Sequence, residues 1–295
     1  MAGHLLVLGL GYAGAAVARL AAGAGFAVSG TTRRARPEAA PPGVRPLLFG
    51  EAGPVLREAT HLLVTAAPGE EGDPVLALYR EALRAAAGLR WVGYFSTTAV
   101  YGDRGGATVT EATPPAPAQE RAHRRLRAEA EWAAALEGTG AALDIFRTAG
   151  IYGPGRSVLD ELRAGTARRV DKPGHLFSRI HRDDIAAAVL AAARQPPPGG
   201  TQRVLHLSDD EPAPSAAVTE EAARLLGLPP PPLVPFAEAF EKMSPMGRSF
   251  WSESRRVGSE GTKAALGLRW RHPSFREGLR AILAEEACLG GAEEA

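Results

Sequence analysis

The segment Gly9-Leu10-Gly11-Tyr12-Ala13-Gly14 constrains this chain more than any other. It ends the apolar run HLLVLGL (4–10) and opens the small-residue stretch AGAAVARLAAGAG. That order fits a buried strand, a tight turn and a helix. Gly9 allows the turn, Gly11 lets a pyrophosphate approach the backbone, and Gly14 lets the helix pack near the strand. The positive end of the helix then faces the phosphates. In a chain with 34 glycines the spacing alone is a weak signal, and the strand-turn-helix context is what gives it weight. All six residues, Gly9, Leu10, Gly11, Tyr12, Ala13 and Gly14, are therefore candidates for dinucleotide binding.

The same N-terminal stretch resembles a signal peptide or a short membrane span. It has no cationic leading region, Arg19 interrupts it, and a hydrophobic anchor has no use for glycines at these spacings. It reads as part of a cytoplasmic fold with no membrane partner. The 34 basic and 33 acidic residues leave a net charge of +1, which lacks the electrostatic footprint of a nucleic-acid partner. Cys288 is the single cysteine, so no intrachain disulfide or cysteine metal cluster can form. The seven histidines are scattered without an H-x-x-x-H spacing, and no bound metal is expected.

Further apolar runs, FAVSGT, PLLF, HLLVTAA, WVGYFST and ALDIFRT, alternate with helical patterns. Asp73 with Pro74 marks the start of one helix, and Gly138 closes the long one through QERAHRRLRAEAEWAAALEGTG. Strands alternating with helices predict an α/β fold, a Rossmann-like doubly wound parallel sheet covered on both faces. The rhythm changes after Gly153. Residues 1–150, with late sheet elements from 180–207, are expected to form the dinucleotide domain. Residues 151–179 and 208–290 are expected to form a smaller, mostly helical C-terminal lobe that takes the substrate.

Cofactor preference is read from the second strand. An acidic residue about 20 positions beyond the glycines would hold the ribose hydroxyls of NAD. Here the stretch is Gly30-Thr31-Thr32-Arg33-Arg34-Ala35-Arg36, with no acid before Glu38. Guanidinium and hydroxyl groups suit a 2′-phosphate, so Thr32, Arg33 and Arg34 are assigned to the cofactor and NADP(H) is favoured over NAD(H). Ala66, Ala67 and Pro68, where HLLVTAA ends, complete the candidate cofactor wall.

The stretch YFSTTAVYGD (94–103) resembles the extended short-chain dehydrogenase/reductase family, which includes the sugar-nucleotide epimerases and dehydratases. IYGPGR (151–156), RIHRDDIA (179–186) and LHLSDDEPAP (205–214) extend the match. SPMGRSFWSESRRV and LGLRWRHPSFREGLRAI look specifically like an atypical branch, so the resemblance spans essentially the whole chain. It implies an NAD(P)-dependent oxidoreductase or epimerase-like enzyme acting on a small hydroxyl or carbonyl substrate. It also implies that Thr97 bonds the substrate oxygen and that Ser96 lies near the nicotinamide. A homodimer is common in the family.

The chain departs from that family at its acid/base pair, Tyr-x-x-x-Lys. In one register the corresponding residues are Arg121 and Arg125, in the next Ala122 and Leu126. No tyrosine lies between Tyr101 and Tyr152, and no lysine precedes Lys172. Arginine is too basic to donate a proton near neutral pH, though it can polarise an oxyanion. The candidate substitutes are Tyr101, Tyr152, His181 and, least favourably placed, His123. Thr97, Tyr101 and His181 are the catalytic candidates. An alternative is a cofactor-binding sensor or scaffold that has lost catalysis. Met246, Phe250 and Trp251 are either core or line a cleft with Arg255 and Arg256 for an acidic or phosphorylated ligand.

Overall fold

The computed structural model describes residues 3–32 and 40–293, with side chains to 288. Arg33 and Arg34 lie outside the described residues. Strands run β1 His4–Leu8, β2 Ala27–Thr32, β3 Val44–Leu48, β4 His61–Val64, β5 Trp91–Thr97, β6 Thr108–Val109 and β7 Ala142–Thr148. They continue as β8 Gly150–Tyr152, β9 Arg169–Asp171, β10 Arg179–His181, β11 Gln202–Leu207, β12 Leu233–Pro235 and β13 Arg256–Val257. The helices are α1 Tyr12–Gly23, α2 Gly53–Glu58, α3 Pro74–Arg84, α4 Glu120–Leu136, α5 Val158–Arg163 and α6 Arg182–Arg194. They are followed by α7 Ser215–Leu226, α8 Phe236–Glu241, α9 Pro245–Trp251, α10 Glu260–Leu266 and α11 Phe275–Glu293.

Seven strands form one sheet in the order β11-β7-β5-β4-β1-β2-β3, and every neighbouring pair is parallel. This is the doubly wound arrangement expected, with its order reversing between β1 and β4. Alternation along the strands sends residues to two cores. Leu5, Val7, Leu63 and Phe95 pack with α1 and α6, whereas Leu6, Leu8, Val64 and Tyr94 pack with α2, α3 and α4. A third cluster joins Tyr152 of β8 with Leu159, Val218, Phe275 and Leu279 of the later helices.

Local signals account for several boundaries. Asp73 caps α3, accepting from the backbone N–H groups of Val75 at 2.9 Å and Leu76 at 3.1 Å, with Pro74 in the first turn. Gly138 takes φ +73° just beyond α4. The HLLVTAA run is shorter as a strand than its hydropathy suggests. β4 ends at Val64, and the next residue, Thr65, bonds the glycine turn through its side chain. No described helix is long and apolar enough to cross a membrane.

Candidate functional site

The glycine turn lies between β1 and α1 at the carboxyl edge of the sheet. Thr31 and Thr65 fix it from either side. The Gly9 N–H donates to Thr31 Oγ1 at 3.0 Å and the Leu10 N–H to the Thr31 carbonyl at 2.8 Å. Thr65 Oγ1 donates to the Gly9 carbonyl at 2.6 Å. Gly9 has φ +119°, which favours glycine. Gly11 caps α1 without a side-chain bond, and a Cβ there would meet nothing within 4 Å. Backbone and helix end thus face open space, the geometry that a phosphate group fits.

Leu10, Gly11, Tyr12, Arg19 and Arg182 line the groove beside this turn. Tyr12 donates to the Pro154 carbonyl at 3.0 Å, and the Arg156 and Arg182 guanidinium groups lie over its ring. Ala13 and Gly14 are buried, packed toward the strand. Thr32 ends β2, and Ala66 packs partly against the second core, followed by exposed Ala67 and half-buried Pro68.

A second cleft, of about 300 Å³, opens where β5 and β7 end. Thr97, Thr98 and Thr148 line it from the sheet, Arg121 from α4 and Arg179 from β10. Phe250, Trp251, Glu253 and Arg255 form the facing wall. Of the residues left open between core and cleft, Phe250, Trp251 and Arg255 therefore face the cleft. Met246 is exposed outside that lining, and so is Arg256.

Three candidates lie away from this cleft. Ser96, expected beside the nicotinamide, precedes Thr97 on β5 and so faces the opposite side, where its hydroxyl donates to Glu129. Tyr101 is fully buried, its hydroxyl bonded to His206 and to Arg147 Nη1 at 2.8 Å. Burial pushes the Tyr101 phenol up and the His206 imidazole down. Arg147 also pairs with Glu129 at 2.7 Å, so one buried network ties β5, α4, β7 and β11 together.

His181 is the third. It caps α6 itself, its Nδ1 accepting the Asp183 N–H at 3.2 Å, while the Asp183 carboxylate pairs with Arg182. Burial, reinforced by the neighbouring charge of His272, pushes its pKa down to about 4. His181, Asp184 and His272 bring ligand-type atoms within 4.8 Å of one another. Their separation in sequence hid this grouping. Asp184 accepts from the Arg271 N–H at 2.6 Å, the His272 N–H at 3.0 Å and His272 Nδ1 at 2.8 Å. This clamps the C-terminal segment to α6. With Nδ1 accepting, neutral His181 carries its proton on Nε2, which leaves no lone pair there for a metal.

Tyr152 is buried with its hydroxyl directed to the Ser274 carbonyl, and His123 is exposed on α4. Arg125 donates to the Phe95 carbonyl at 2.7 Å and to the Tyr94 hydroxyl at 3.3 Å, which fastens α4 to β5. Thr31 and Thr65, neither of them singled out from the sequence, hold the glycine turn, and Glu129 holds Ser96 and Arg147.

A functionally unknown conserved protein from Silicibacter pomeroyi DSS superposes with a TM-score of 0.86 at 43% identity, covering 96% of this chain and 99% of that one. This chain belongs to the same family. MoeE5 in complex with UDP-glucuronic acid and NAD has a TM-score of 0.77 at 21% identity, covering 94% and 97% of the two chains. Human epimerase family protein SDR39U1 with NADPH follows at 0.72 and 18%, covering 95% and 98%. A UDP-galactose 4-epimerase shares the same fold, with a TM-score of 0.70 at 17% identity, covering 96% and 99% of the two chains. No protein-family model and no curated protein matches the chain.

Proposed function

We propose that this protein is an NADP(H)-dependent oxidoreductase or epimerase-like enzyme acting on a small hydroxyl or carbonyl compound. The observation that carries the reading is the juxtaposition of two features at one edge of the sheet: the open Gly11 turn and the cleft lined by Thr97. In doubly wound folds that edge is where ligands bind. In this reading residues 1–150 and 180–207 hold the dinucleotide and residues 151–179 and 208–290 take the substrate. The bound dinucleotide would supply or accept the hydride.

The chain's own groups do the rest. The backbone at Gly9–Gly14 receives the pyrophosphate, and Thr97 directs a hydroxyl at the substrate oxygen. Arg121, which lines the cleft from α4, stabilises negative charge developing on that oxygen. NADP(H) is preferred because Thr32 ends the second strand and Arg33 and Arg34 come next in sequence, with no acid before Glu38. The SDR39U1 structure with NADPH agrees with this choice, while other neighbours carry NAD.

Calorimetry with NADPH and NADH on the native protein and on Arg33→Ala tests the reading. Tight NADPH binding that weakens in the variant supports it, and binding of neither nucleotide ends it. A second reading, a cofactor-binding sensor without turnover, is favoured by the burial of Tyr101 and by Arg125 being engaged with β5. Turnover that disappears on Thr97→Val would exclude the sensor.

A further inference from the structure

We infer that the cleft beside Thr97 binds a small substrate whose reacting fragment carries an oxyanion, a carboxylate or a phosphate, held by Arg121 and Arg179. The inference rests on the enzyme reading for the reaction, but not for the binding itself.

Three guanidinium groups line this cleft, and its one carboxylate neutralises only one of them. Arg255 pairs with Glu253 at 2.7 Å, and Gln119 Nε2 donates to the other Glu253 oxygen at 2.9 Å. Arg121 has no ion pair and no hydrogen bond among the described residues; its guanidinium carbon lies 4.4 Å from the centre of the Phe250 ring. Arg179 donates through Nη1 to the carbonyls of Phe177 at 2.9 Å and Ala213 at 3.1 Å, and forms no ion pair among the described residues. The acid whose charge reaches it, Asp209, is buried with both carboxylate oxygens lacking a hydrogen-bond partner.

Two positive charges thus meet the same small volume, and neither has an ion-pair partner among the described residues. For Arg179 the cost is visible in its acidity, since loss of hydration disfavours the charged form and lowers its pKa. A buried charge left alone is destabilising, and an entering oxyanion removes that cost through charge-assisted hydrogen bonds. Planar guanidinium groups match carboxylate and phosphate geometry. An uncharged polyol would displace their water and leave both charges unpaired. The volume, about 300 Å³, is at the lower end for ligand pockets and suits a small acid.

Trp251 lines the same cleft and reports on its contents, whereas Trp91, Trp132 and Trp270 are buried elsewhere. The experiment titrates malonate, inorganic phosphate and glycerol into the full chain while following tryptophan fluorescence. It is repeated on Arg121→Met, Arg179→Met and, as an exposed control outside the cleft, Arg256→Met. A saturable change is expected with at least one anion and none with glycerol. Binding should weaken at least tenfold in the two cleft variants and be unchanged in the control. The tighter of malonate and phosphate identifies carboxylate or phosphate as the group recognised.

Saturation by neither anion overturns the inference, as does equal binding in the native protein and in Arg121→Met, whose side chain is partly exposed. NADPH calorimetry on the same samples separates the two claims. Anion binding without NADPH binding removes the enzyme reading and leaves the anion site. NADPH binding without anion binding removes the anion site alone.

Discussion

Thr65 Oγ1 donates to the Gly9 carbonyl oxygen at 2.6 Å, and a Cβ added at Gly14 would stand 2.2 Å from that same oxygen. The end of β4 and the first turn of α1 therefore close on one peptide group, and only glycine at 14 leaves room for it. Gly14→Ala must push the helix off the strand, with a cost of roughly 1–3 kcal/mol typical of overpacking. Gly11→Ala should behave differently, because its Cβ enters open space. Its melting temperature should stay near that of the native protein while NADPH affinity falls at least tenfold. Thermal melts with calorimetry on both variants check the contrast, and a Gly11→Ala protein that binds NADPH normally would remove the turn from the cofactor site.

Asp209 supplies an alkaline-side prediction. Burial raises its pKa to about 8, far above its ordinary value of 3.8. The folded chain then keeps a proton that the unfolded chain releases, so stability falls as pH rises from about 4 to 8 and levels off beyond. At about 1.4 kcal/mol per pKa unit the loss amounts to a few kcal/mol. Asp209→Asn cannot ionise, and it should be more stable than the native protein at pH 8 and show a flatter melting profile between pH 6.5 and 8.

His181 works in the opposite direction. Its folded pKa lies near 4 against an ordinary 6.5, so its contribution is complete above pH 6.5 and is lost as pH falls through that window. Between pH 4 and 6.5 it opposes the Asp209 slope, whereas above 6.5 only the Asp209 slope remains of the two. Asn is also a good helix cap, so His181→Asn keeps a partner for the Asp183 N–H while removing the titration. Denaturation midpoints at pH 4.5, 5.5 and 7 should fall less steeply with acid in this variant. An unchanged acid limb would mean that the imidazole takes up its proton as readily in the fold as in the unfolded chain.

The parts legible in the sequence are those decided by neighbours along the chain. The glycine turn, the Asp73 cap and the strand-helix alternation each depend on a few consecutive residues. The parts that were not legible depend on distant ones. Nothing near Tyr101 reveals that its hydroxyl meets Arg147, 46 residues away, and His206, 105 residues away. His272 joins Asp184 across 88 positions, and Arg121 faces Phe250 only because α9 folds over α4. Ser96 is the exception: strict alternation along β5 already places it opposite Thr97, toward α4. The resemblance set Ser96 beside the nicotinamide and Thr97 at the substrate, where the strand geometry brings only Thr97 to the cleft.

That same alternation leads to the last prediction. Ser96, Glu129, Arg147 and Tyr101 are all buried, and Glu129 meets Arg147 through two bonds, at 3.2 Å and 2.7 Å. Removing one member of a buried pair leaves the other charge desolvated, a cost of about 3–5 kcal/mol. Glu129→Gln and Arg147→Met should each lower stability by that order, while the double variant should cost less than their sum because no lone charge remains. Ser96→Ala removes a single hydrogen bond to the carboxylate and should cost about 1.5–3 kcal/mol. Urea midpoints for the four proteins give the coupling energy directly. Additive single effects would mean that the pair is hydrated in solution and that the two charges do not depend on each other.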